Sequence, residues 1–77
     1  MTMTFDRIVS DPAVMGGRPT IRGTRVTVGV IVGLLGTGQS MADVLEARPY
    51  LSEEDVRAAL RYAAWRASER EVPLQAA

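Results

Sequence analysis

The chain has 77 residues, with nine arginines balanced by nine acidic residues, and it contains no lysine, histidine or cysteine. Its length predicts one small domain, residues 1–77, and its composition excludes disulfides and the common Cys/His zinc sites. The net charge of zero also excludes a nucleic-acid binder that is basic along its whole length.

The beginning of the chain has neither the basic start nor the apolar core of a signal peptide. No apolar run in the sequence approaches the roughly 20 residues that span a bilayer. We therefore expect a cytoplasmic protein that does not enter a membrane. Because so short a chain buries only a small core, we also expect a homodimer or a higher homo-oligomer.

Residues 1–27 are predicted to form an extended β arm with one or two short strands. The first β-prone run is Arg7-Ile8-Val9, which Ser10-Asp11-Pro12 closes as a turn. A ribbon of this size is marginal alone, so it must lie on helices or pair with a second copy of the chain. For pairing with a second copy, the predicted dimer interface includes Ile8 and Val9.

A hairpin is predicted where Gly23-Thr24 separates two β-prone runs, Thr20-Ile21-Arg22 and Arg25-Val26-Thr27. A glycine in the first position of a two-residue loop suits a type II′ turn, because that position needs a positive φ. In this hairpin Arg22 and Arg25 face each other directly, and Ile21 pairs with Val26 on the opposite face. Like charges placed opposite each other are destabilising. The two arginines therefore indicate an anionic partner.

The next segment, Val28–Gly36, is wholly apolar, and Thr27 is its predicted N-cap. Its β-branched residues favour a strand, whereas its length and its threonine start favour a helix, so both remain open. In a helix the three glycines, Gly29, Gly33 and Gly36, share one smooth face that another backbone can approach closely. That face indicates either a buried core helix or part of the dimer interface. Gly38 fits the C′ position that ends the helix.

Two further helices are predicted from capping signals. Ser40 and Asp43 form a capping box, and the helix that they start ends near Arg48 because a proline follows. Ser52 caps a third helix, whose acidic first turn suits the positive end of the helix dipole. This helix runs to about residue 69 or 70. Residues 28–70 thus form a three-helix core, and residues 71–77 a flexible tail.

The third helix has two apolar faces. The predicted core stripe repeats at helical spacing, and it consists of Val56, Leu60, Ala63 and Ala67. Tyr62 and Trp65 lie on another face, with Trp65 nearly opposite Val56. Because aromatic residues are enriched at interfaces, these two indicate a second contact surface. The alternative is that Trp65 packs against the N-terminal arm or against Val72-Pro73-Leu74.

The sequence contains no constellation of catalytic residues. Without histidine, cysteine or lysine, the usual nucleophile and base pairs are missing, so we expect no enzyme activity and no cofactor. The second and third helices have the outline of a helix-turn-helix. However, the recognition helix would begin with Glu53-Glu54-Asp55, whose negative charges oppose insertion between DNA phosphates.

Four stretches carry a resemblance to a known family, and they are Asp11-Pro12, Gly16-Gly17-Arg18-Pro19-Thr20-Ile21-Arg22-Gly23-Thr24-Arg25-Val26-Thr27-Val28, Gly38-Gln39-Ser40 and Leu51-Ser52-Glu53-Glu54-Asp55-Val56. Over roughly residues 6–65 the chain resembles the small prokaryotic family catalogued as domain of unknown function 433, with the signature GGxPxIxGTRxxV. The resemblance implies a mainly α fold, with a homeodomain-like three-helix core and a short N-terminal β-hairpin arm. It also implies an antitoxin role opposite a PIN-like, metal-dependent ribonuclease.

The arginines and this resemblance lead to one hypothesis. A PIN-type nuclease site holds Mg²⁺ or Mn²⁺ in a cluster of acidic residues, where an arginine can pair with the carboxylates and displace the metal. The predicted partner-binding residues are Arg18, Arg22, Arg25, Tyr62 and Trp65. The alternative for Arg18 and Arg25 is structural, with their guanidinium groups bound to loop carbonyls and helix C-termini.

The sequence thus predicts a non-enzymatic binding module, the antitoxin of a type II toxin–antitoxin pair. Two alternatives stay open. One is a DNA-binding regulator that uses the helix-turn-helix on its own promoter. The other is a purely structural homo-oligomeric domain.

Overall fold

Hydroxyl side chains start each helix of the structure, a computed structural model that describes residues 5–69. Within this range the helices are α1 (Val28–Gly36), α2 (Met41–Ala47) and α3 (Glu53–Glu69). Two short strands precede them, β1 (Ile8–Val9) and β2 (Thr20–Ile21). The mainly helical fold with a short N-terminal β-hairpin is confirmed. The predicted tail at 71–77, with Val72-Pro73-Leu74, lies outside the described residues.

The predicted caps are all present. Thr27 Oγ1 accepts the N–H of Val30 at 3.1 Å, which settles the first apolar segment as a helix rather than a strand. Ser40 and Asp43 form the predicted capping box, with bonds of 3.0 and 3.1 Å. Ser52 makes the same reciprocal pair of bonds with Asp55, at 3.0 and 3.2 Å. These side chains satisfy N–H groups that a helix start leaves without a partner.

Gly38 follows the end of α1 at the C′ position, as the sequence predicted, and it forms a Schellman motif there. Gly38 has a φ of +103°, a conformation that glycine adopts without strain. Its N–H donates to the carbonyl of Leu35 at 3.1 Å, and the N–H of Gln39 donates to the carbonyl of Leu34 at 3.2 Å. This pair of bonds satisfies the last carbonyls and turns the chain toward α2.

The strands form a two-stranded antiparallel sheet, in which Ile8 lies opposite Ile21 and Val9 opposite Thr20. On the other side of β2, Thr20 also bridges to Thr27, and Ile21 donates its N–H to the carbonyl of Val26 at 2.9 Å. The predicted pairing of Ile21 with Val26 is therefore confirmed. The additional partner, β1, comes from a segment that the sequence did not assign to this hairpin.

The predicted type II′ turn at Gly23-Thr24 is wrong. Thr24 donates its N–H to the carbonyl of Ile21 at 3.0 Å, so the turn spans residues 21–24 and Gly23 is its third residue, with a φ of +80°. That position and sign are typical of a type II turn. The Thr24 hydroxyl donates to Ile21 O at 2.8 Å and accepts the Val26 N–H at 3.0 Å. These bonds close a four-residue loop, in which Arg22 and Arg25 are not a cross-strand pair.

The core lies between the sheet, α1 and α3, and α1 packs chiefly on α3. Its buried apolar residues come from every element and are Ile8, Ile21, Val26, Val28, Ile31, Val44, Leu51, Val56, Ala58 and Ala59. The alanines of α3 are small enough to let neighbouring elements approach closely. The core therefore combines small alanine side chains with larger ones such as Ile31 and Val56, which have no exposed surface.

The predicted core stripe of α3 is only partly right. Val56 is fully buried and Ala63 is half-buried, but Leu60 is 39% exposed and Ala67 is exposed. The buried line passes instead through Val56 and Ala59. Spacings of three and four residues both follow one helix face, so periodicity alone allows either line. Because α1 and β1 pack against α3, the face that carries Val56 and Ala59 is the buried one.

Replacing a glycine by alanine should change the free energy of unfolding in opposite directions at a positive-φ turn position and at a helical position. Gly23→Ala is expected to lower the free energy of unfolding by about 1 kcal/mol, because a Cβ strains a residue with a positive φ. Gly33→Ala is expected to raise it by about 1 kcal/mol, because α1 gains helix propensity and the new Cβ has no heavy atom within 4 Å. Urea unfolding followed by circular dichroism measures both. Equal changes in both variants would contradict the assigned turn.

Candidate functional site

The three predicted arginines of the hairpin have different surroundings. Arg22 is structural: its N–H donates to the carbonyl of Arg7 and its Nε to the carbonyl of Asp6, each at 2.8 Å. These bonds fasten the chain before β1 to the hairpin loop. The sequence had offered such a carbonyl-binding role for Arg18 and Arg25. Within residues 5–69 neither of their guanidinium groups makes a hydrogen bond or an ion pair, and both side chains are exposed.

Arg25 stands at the rim of a depression of about 430 Å³ beside the hairpin. The lining combines one cation with an apolar floor and a few polar groups, and its residues are Val9, Asp11, Val14, Thr20, Gly23, Thr24 and Arg25. Asp11 Oδ1 accepts the N–H of Ala13 at 2.9 Å, which fixes this carboxylate at its own turn but leaves its charge. The depression therefore combines one cation and one carboxylate with apolar and hydroxyl side chains.

Arg18 lines a second depression, of about 390 Å³, at the N-terminus of α1. Its other lining residues are Pro19, Thr27, Gly29 and Val30. The two depressions share no lining residue. The structure therefore places Arg18 and Arg25 at separate sites, and the predicted anion-binding face is divided between them.

Other arginines are neutralised within the chain. Arg7 pairs with Asp55 at 2.9 Å, and Arg57 pairs with Glu53 at 2.8 Å and with Glu54 at 3.3 Å. The start of α3 thus carries a set of helical ion pairs. Exposed pairs of this kind stabilise weakly, because solvent screens them. By contrast, neither Arg18 nor Arg25 makes an ion pair with any described residue.

Asp55 links the sheet to the start of α3. Partial burial raises the pKa of its carboxyl, but the Ser52 backbone N–H, the Arg7 guanidinium and the Ser52 side chain together outweigh burial. The net effect lowers the pKa of Asp55 below its ordinary value. Its two oxygens bind different groups. Oδ1 accepts a hydrogen bond from the Arg7 guanidinium, and Oδ2 accepts one from the Ser52 N–H. This carboxylate therefore holds β1 and α3 together and is committed to the fold.

The structure brings Tyr62 and Trp65 together, with ring centroids 5.8 Å apart. Phe5 completes the cluster, at 5.3 Å from Tyr62 in an edge-to-face arrangement and at 5.6 Å from Trp65. Trp65 thus packs against the N-terminal arm, which was one of the two interpretations of its position. The sequence analysis missed Phe5, although the single phenylalanine next to a β-prone run is a signal of packing. All three side chains are half-buried, so part of each remains available for contact.

The residues of the predicted dimer interface also divide into two groups. Ile8 is buried in the chain's own core and Val9 is half-buried at the Arg25 depression. Gly29, Gly33 and Gly36 are exposed on the outer face of α1. The interpretation of this glycine face as a buried core surface is therefore wrong. Burial also removes Ile8 from the surface that a second copy could contact.

Among residues 5–69 no group of three carboxylates is arranged to hold a metal ion. No helix in the same range combines the length and the apolarity that crossing a bilayer requires.

Comparisons with known proteins agree on one family. A sequence model described as "Protein of unknown function (DUF433)" matches residues 8–63, which include both strands, α1, α2 and most of α3. The chain is 41% identical over 56 residues to the uncharacterized protein y4eO of Sinorhizobium fredii. These residues are 73% of this chain and 25% of that protein, so the chain spans about a quarter of its curated relative.

A solved structure shares the fold. The crystal structure of a DUF433 member protein from Anabaena variabilis, at 2.00 Å resolution, superposes with a TM-score of 0.78 and 31% sequence identity. The similarity covers 83% of this chain and 63% of the other. The strands and the three helices are therefore an arrangement that this chain shares with a longer protein.

Proposed function

The chain belongs to the DUF433 family of proteins of unknown function, and on that premise we propose that it is a non-enzymatic binding module, the antitoxin that neutralises a PIN-like ribonuclease in a type II toxin–antitoxin pair. The observation that carries the proposal is Arg25, an exposed cation that makes no ion pair with a described residue and lines a partly apolar depression. Arg22 serves the fold instead, and Arg18 is the secondary candidate at its own depression.

The chemistry of this contact is the pairing of a guanidinium with carboxylates. The planar guanidinium fork of Arg25 can bind a carboxylate through two hydrogen bonds, which are among the stronger ones in proteins. A nuclease that holds Mg²⁺ or Mn²⁺ with acidic residues presents such carboxylates. An arginine bound there replaces the positive charge of the metal but cannot activate water. The arginine then occupies the active site of the nuclease, and the nuclease is inactive.

The loop that carries Arg25 is ordered before any partner binds. The Thr24 hydroxyl bonds to both sides of the loop, at Ile21 and Val26, so the backbone on either side of Arg25 is fixed. Binding therefore has to order little more than the arginine side chain, which preserves affinity. Val9 and Val14 can contact the hydrocarbon part of the incoming acidic residue.

The surface charge of α3 favours a protein partner over DNA. In a helix-turn-helix the start of the recognition helix enters the groove. Here that start carries Glu53 and Glu54, which pair with Arg57. The arginine is thereby withdrawn from phosphate binding, and the helix start presents no surplus of positive charge. This arrangement therefore does not support the alternative that the chain is a DNA-binding regulator.

Arg25→Gln is expected to weaken binding to the nuclease about tenfold, the effect of losing one charged hydrogen-bond contact. The probe is the purified product of the adjacent reading frame, provided that it has the spaced aspartates of a PIN-like protein. Calorimetry measures the affinity, and RNA cleavage in Mg²⁺ measures the remaining inhibition.

Arg57→Gln is the matched control, because it removes an exposed arginine whose ion pairs lie within α3. It should leave the affinity for the nuclease unchanged. Unchanged affinity in folded Arg25→Gln, or no binding by the wild type, contradicts the antitoxin proposal. Binding to upstream DNA with a steep salt dependence would instead favour the regulator.

A further inference from the structure

The depression beside Arg25 carries two opposite charges that do not pair. Its volume is about 430 Å³, and Arg25 and Asp11 both line it. Both side chains are exposed, and within residues 5–69 they form no ion pair with each other or with a third group. A molecule bound here can therefore contact a cation and a carboxylate without first breaking an internal ion pair.

The other side chains that line the depression have no hydrogen-bond donor to offer. The Thr20 hydroxyl donates to the carbonyl of Val9 at 3.5 Å, and the Thr24 hydroxyl donates to the carbonyl of Ile21 at 2.8 Å. The remaining lining side chains are two valines, which supply only hydrocarbon. The two charged groups are thus the ones through which the depression can bind an ionic ligand.

Both charges are attached to backbone that is already fixed. Asp11 Oδ1 accepts the N–H of Ala13 at 2.9 Å, which closes a turn around the carboxylate. Its second oxygen, Oδ2, makes no hydrogen bond in the described range and keeps its acceptor capacity. Arg25 follows directly on Thr24, whose hydroxyl accepts the N–H of Val26 at 3.0 Å. Because the backbone at each charge is ordered before binding, a ligand that matches both charges orders little more than side chains.

We propose that this depression is a two-charge site, which recognises a pair of oppositely charged side chains on a protein partner, an acidic one at Arg25 and a basic one at Asp11. The inference rests on the proposed function, because it takes Arg25 as the contact with that partner. Each side chain of the partner gains a charge-assisted hydrogen bond. The hydrocarbon of both can cover Val9 and Val14.

The carboxylate of Asp11 discriminates against two other kinds of partner. A surface that carries only carboxylates brings a like charge against Asp11, which weakens binding. A nucleic acid brings phosphates to a depression whose lining has one cation and one anion, so the net charge of the lining offers no electrostatic gain. Under the proposed function, the nuclease that fits must therefore carry a basic residue beside its metal-binding carboxylates.

Asp11→Asn isolates the charge, because the amide oxygen of asparagine can still accept the N–H of Ala13 and keep the turn. It is expected to raise the dissociation constant for a partner with both charges about tenfold, the effect of losing one charged contact. For a partner that presents only carboxylates, the same change would lower the dissociation constant. The direction of the change therefore distinguishes the two kinds of partner.

Asp43→Asn is the matched control. It removes the same charge from an exposed position on α2 and keeps an acceptor for the N–H of Ser40. It should leave the dissociation constant unchanged. Circular dichroism should show the native helix content in both variants, because each keeps its local hydrogen bond.

Two blocked tripeptides, Glu-Ala-Arg and Glu-Ala-Glu, test the two-charge site without any nuclease. Each is titrated into the full chain up to about 10 mM and followed by NMR through the amide shifts of Arg25 and Ala13, which lie beside the two charges. The wild type is expected to bind Glu-Ala-Arg about tenfold more tightly than Glu-Ala-Glu, and Asp11→Asn is expected to remove this preference. No preference in the wild type, or a preference that survives in folded Asp11→Asn, overturns the proposal.

Calorimetry with the purified nuclease separates this inference from the antitoxin proposal. If the nuclease does not bind the wild type while the preference for Glu-Ala-Arg holds, the antitoxin proposal fails and the two-charge site stands. If the nuclease binds and Asp11→Asn tightens the complex, the antitoxin proposal stands and the two-charge site is overturned.

Discussion

Ile31→Ala is expected to lower the free energy of unfolding by about 3 kcal/mol, the largest effect of any single truncation considered for this chain. Ile31 has no exposed surface and lies on the side of α1 that packs on α3. Alanine removes the buried hydrocarbon and leaves a cavity that α1 and α3 can only partly close. A domain of this size has a total stability of only about 4–12 kcal/mol, so the variant should lose a large fraction of it. Chemical denaturation followed by circular dichroism measures the change.

Leu60→Ala is the control for this truncation. It removes a side chain of equal size from a position that is 39% exposed. The expected loss is below about 1 kcal/mol, because much of this leucine is already in contact with water. If Leu60→Ala destabilised the chain as much as Ile31→Ala, α3 would present the face through Leu60 to the core. The assignment of the buried line to Val56 and Ala59 would then be wrong.

Asp55→Ala is expected to lower the free energy of unfolding by about 2 kcal/mol at neutral pH. The change removes a capping-box bond to Ser52 and the ion pair with Arg7. Asp43→Ala is a closely matched control, because Asp43 makes the same box bonds with Ser40 on α2. Asp43→Ala should lower the free energy of unfolding by about 1 kcal/mol, the usual effect of losing a helix cap. The difference between the two variants then reports the contribution of Arg7.

The contribution of Asp55 should also depend on pH. Its pKa in the folded chain lies below the ordinary value of 3.8, so the unfolded chain binds a proton more readily than the folded chain does. The stabilisation is therefore fully present above the unfolded pKa and is lost as the pH falls through the folded pKa. The stability gap between the wild type and Asp55→Ala should narrow as the pH falls to 3.8 and below it. A gap that stays constant over this range would contradict the role assigned to the carboxylate.

The helix boundaries were predictable because neighbouring residues decide them. Thr27, Ser40 and Ser52 cap helices through groups within three positions along the chain, and Gly38 ends α1 through its own backbone freedom. Such signals are visible in a linear sequence. The start of each helix could therefore be placed correctly without knowledge of the tertiary fold.

The partners of β1 could not be predicted in the same way. Strand β1 pairs with β2, and Phe5 packs on Tyr62 and Trp65, across separations that no local pattern encodes. The role of Arg22 likewise depends on the carbonyl of Asp6, which lies 16 positions earlier. Helical periodicity could identify two candidate faces of α3. Only the packing of α1 and β1 could select between them.

The two depressions of the candidate site could not be predicted from the sequence either. Arg18 and Arg25 were identified as candidate anion-binding residues from their residue type and their place in the hairpin. Their separation into two depressions depends on the exact turn, because a four-residue loop and a two-residue loop project their side chains differently. The exposure of the glycine face similarly depends on which side of α1 the alanines of α3 contact.

The contact between the segment before β1 and α3 constrains the order in which this part of the chain can acquire its structure during synthesis. Phe5 and Arg7 are made well before Tyr62, Trp65 and Asp55, the residues that they contact. Until α3 emerges, the apolar residues of the arm have no surface to cover them, and an exposed arm of this kind invites aggregation or proteolysis. An incomplete product that ends before α3 should therefore be cleared quickly, whereas a chain that includes α3 can bury Phe5 against Tyr62 and Trp65.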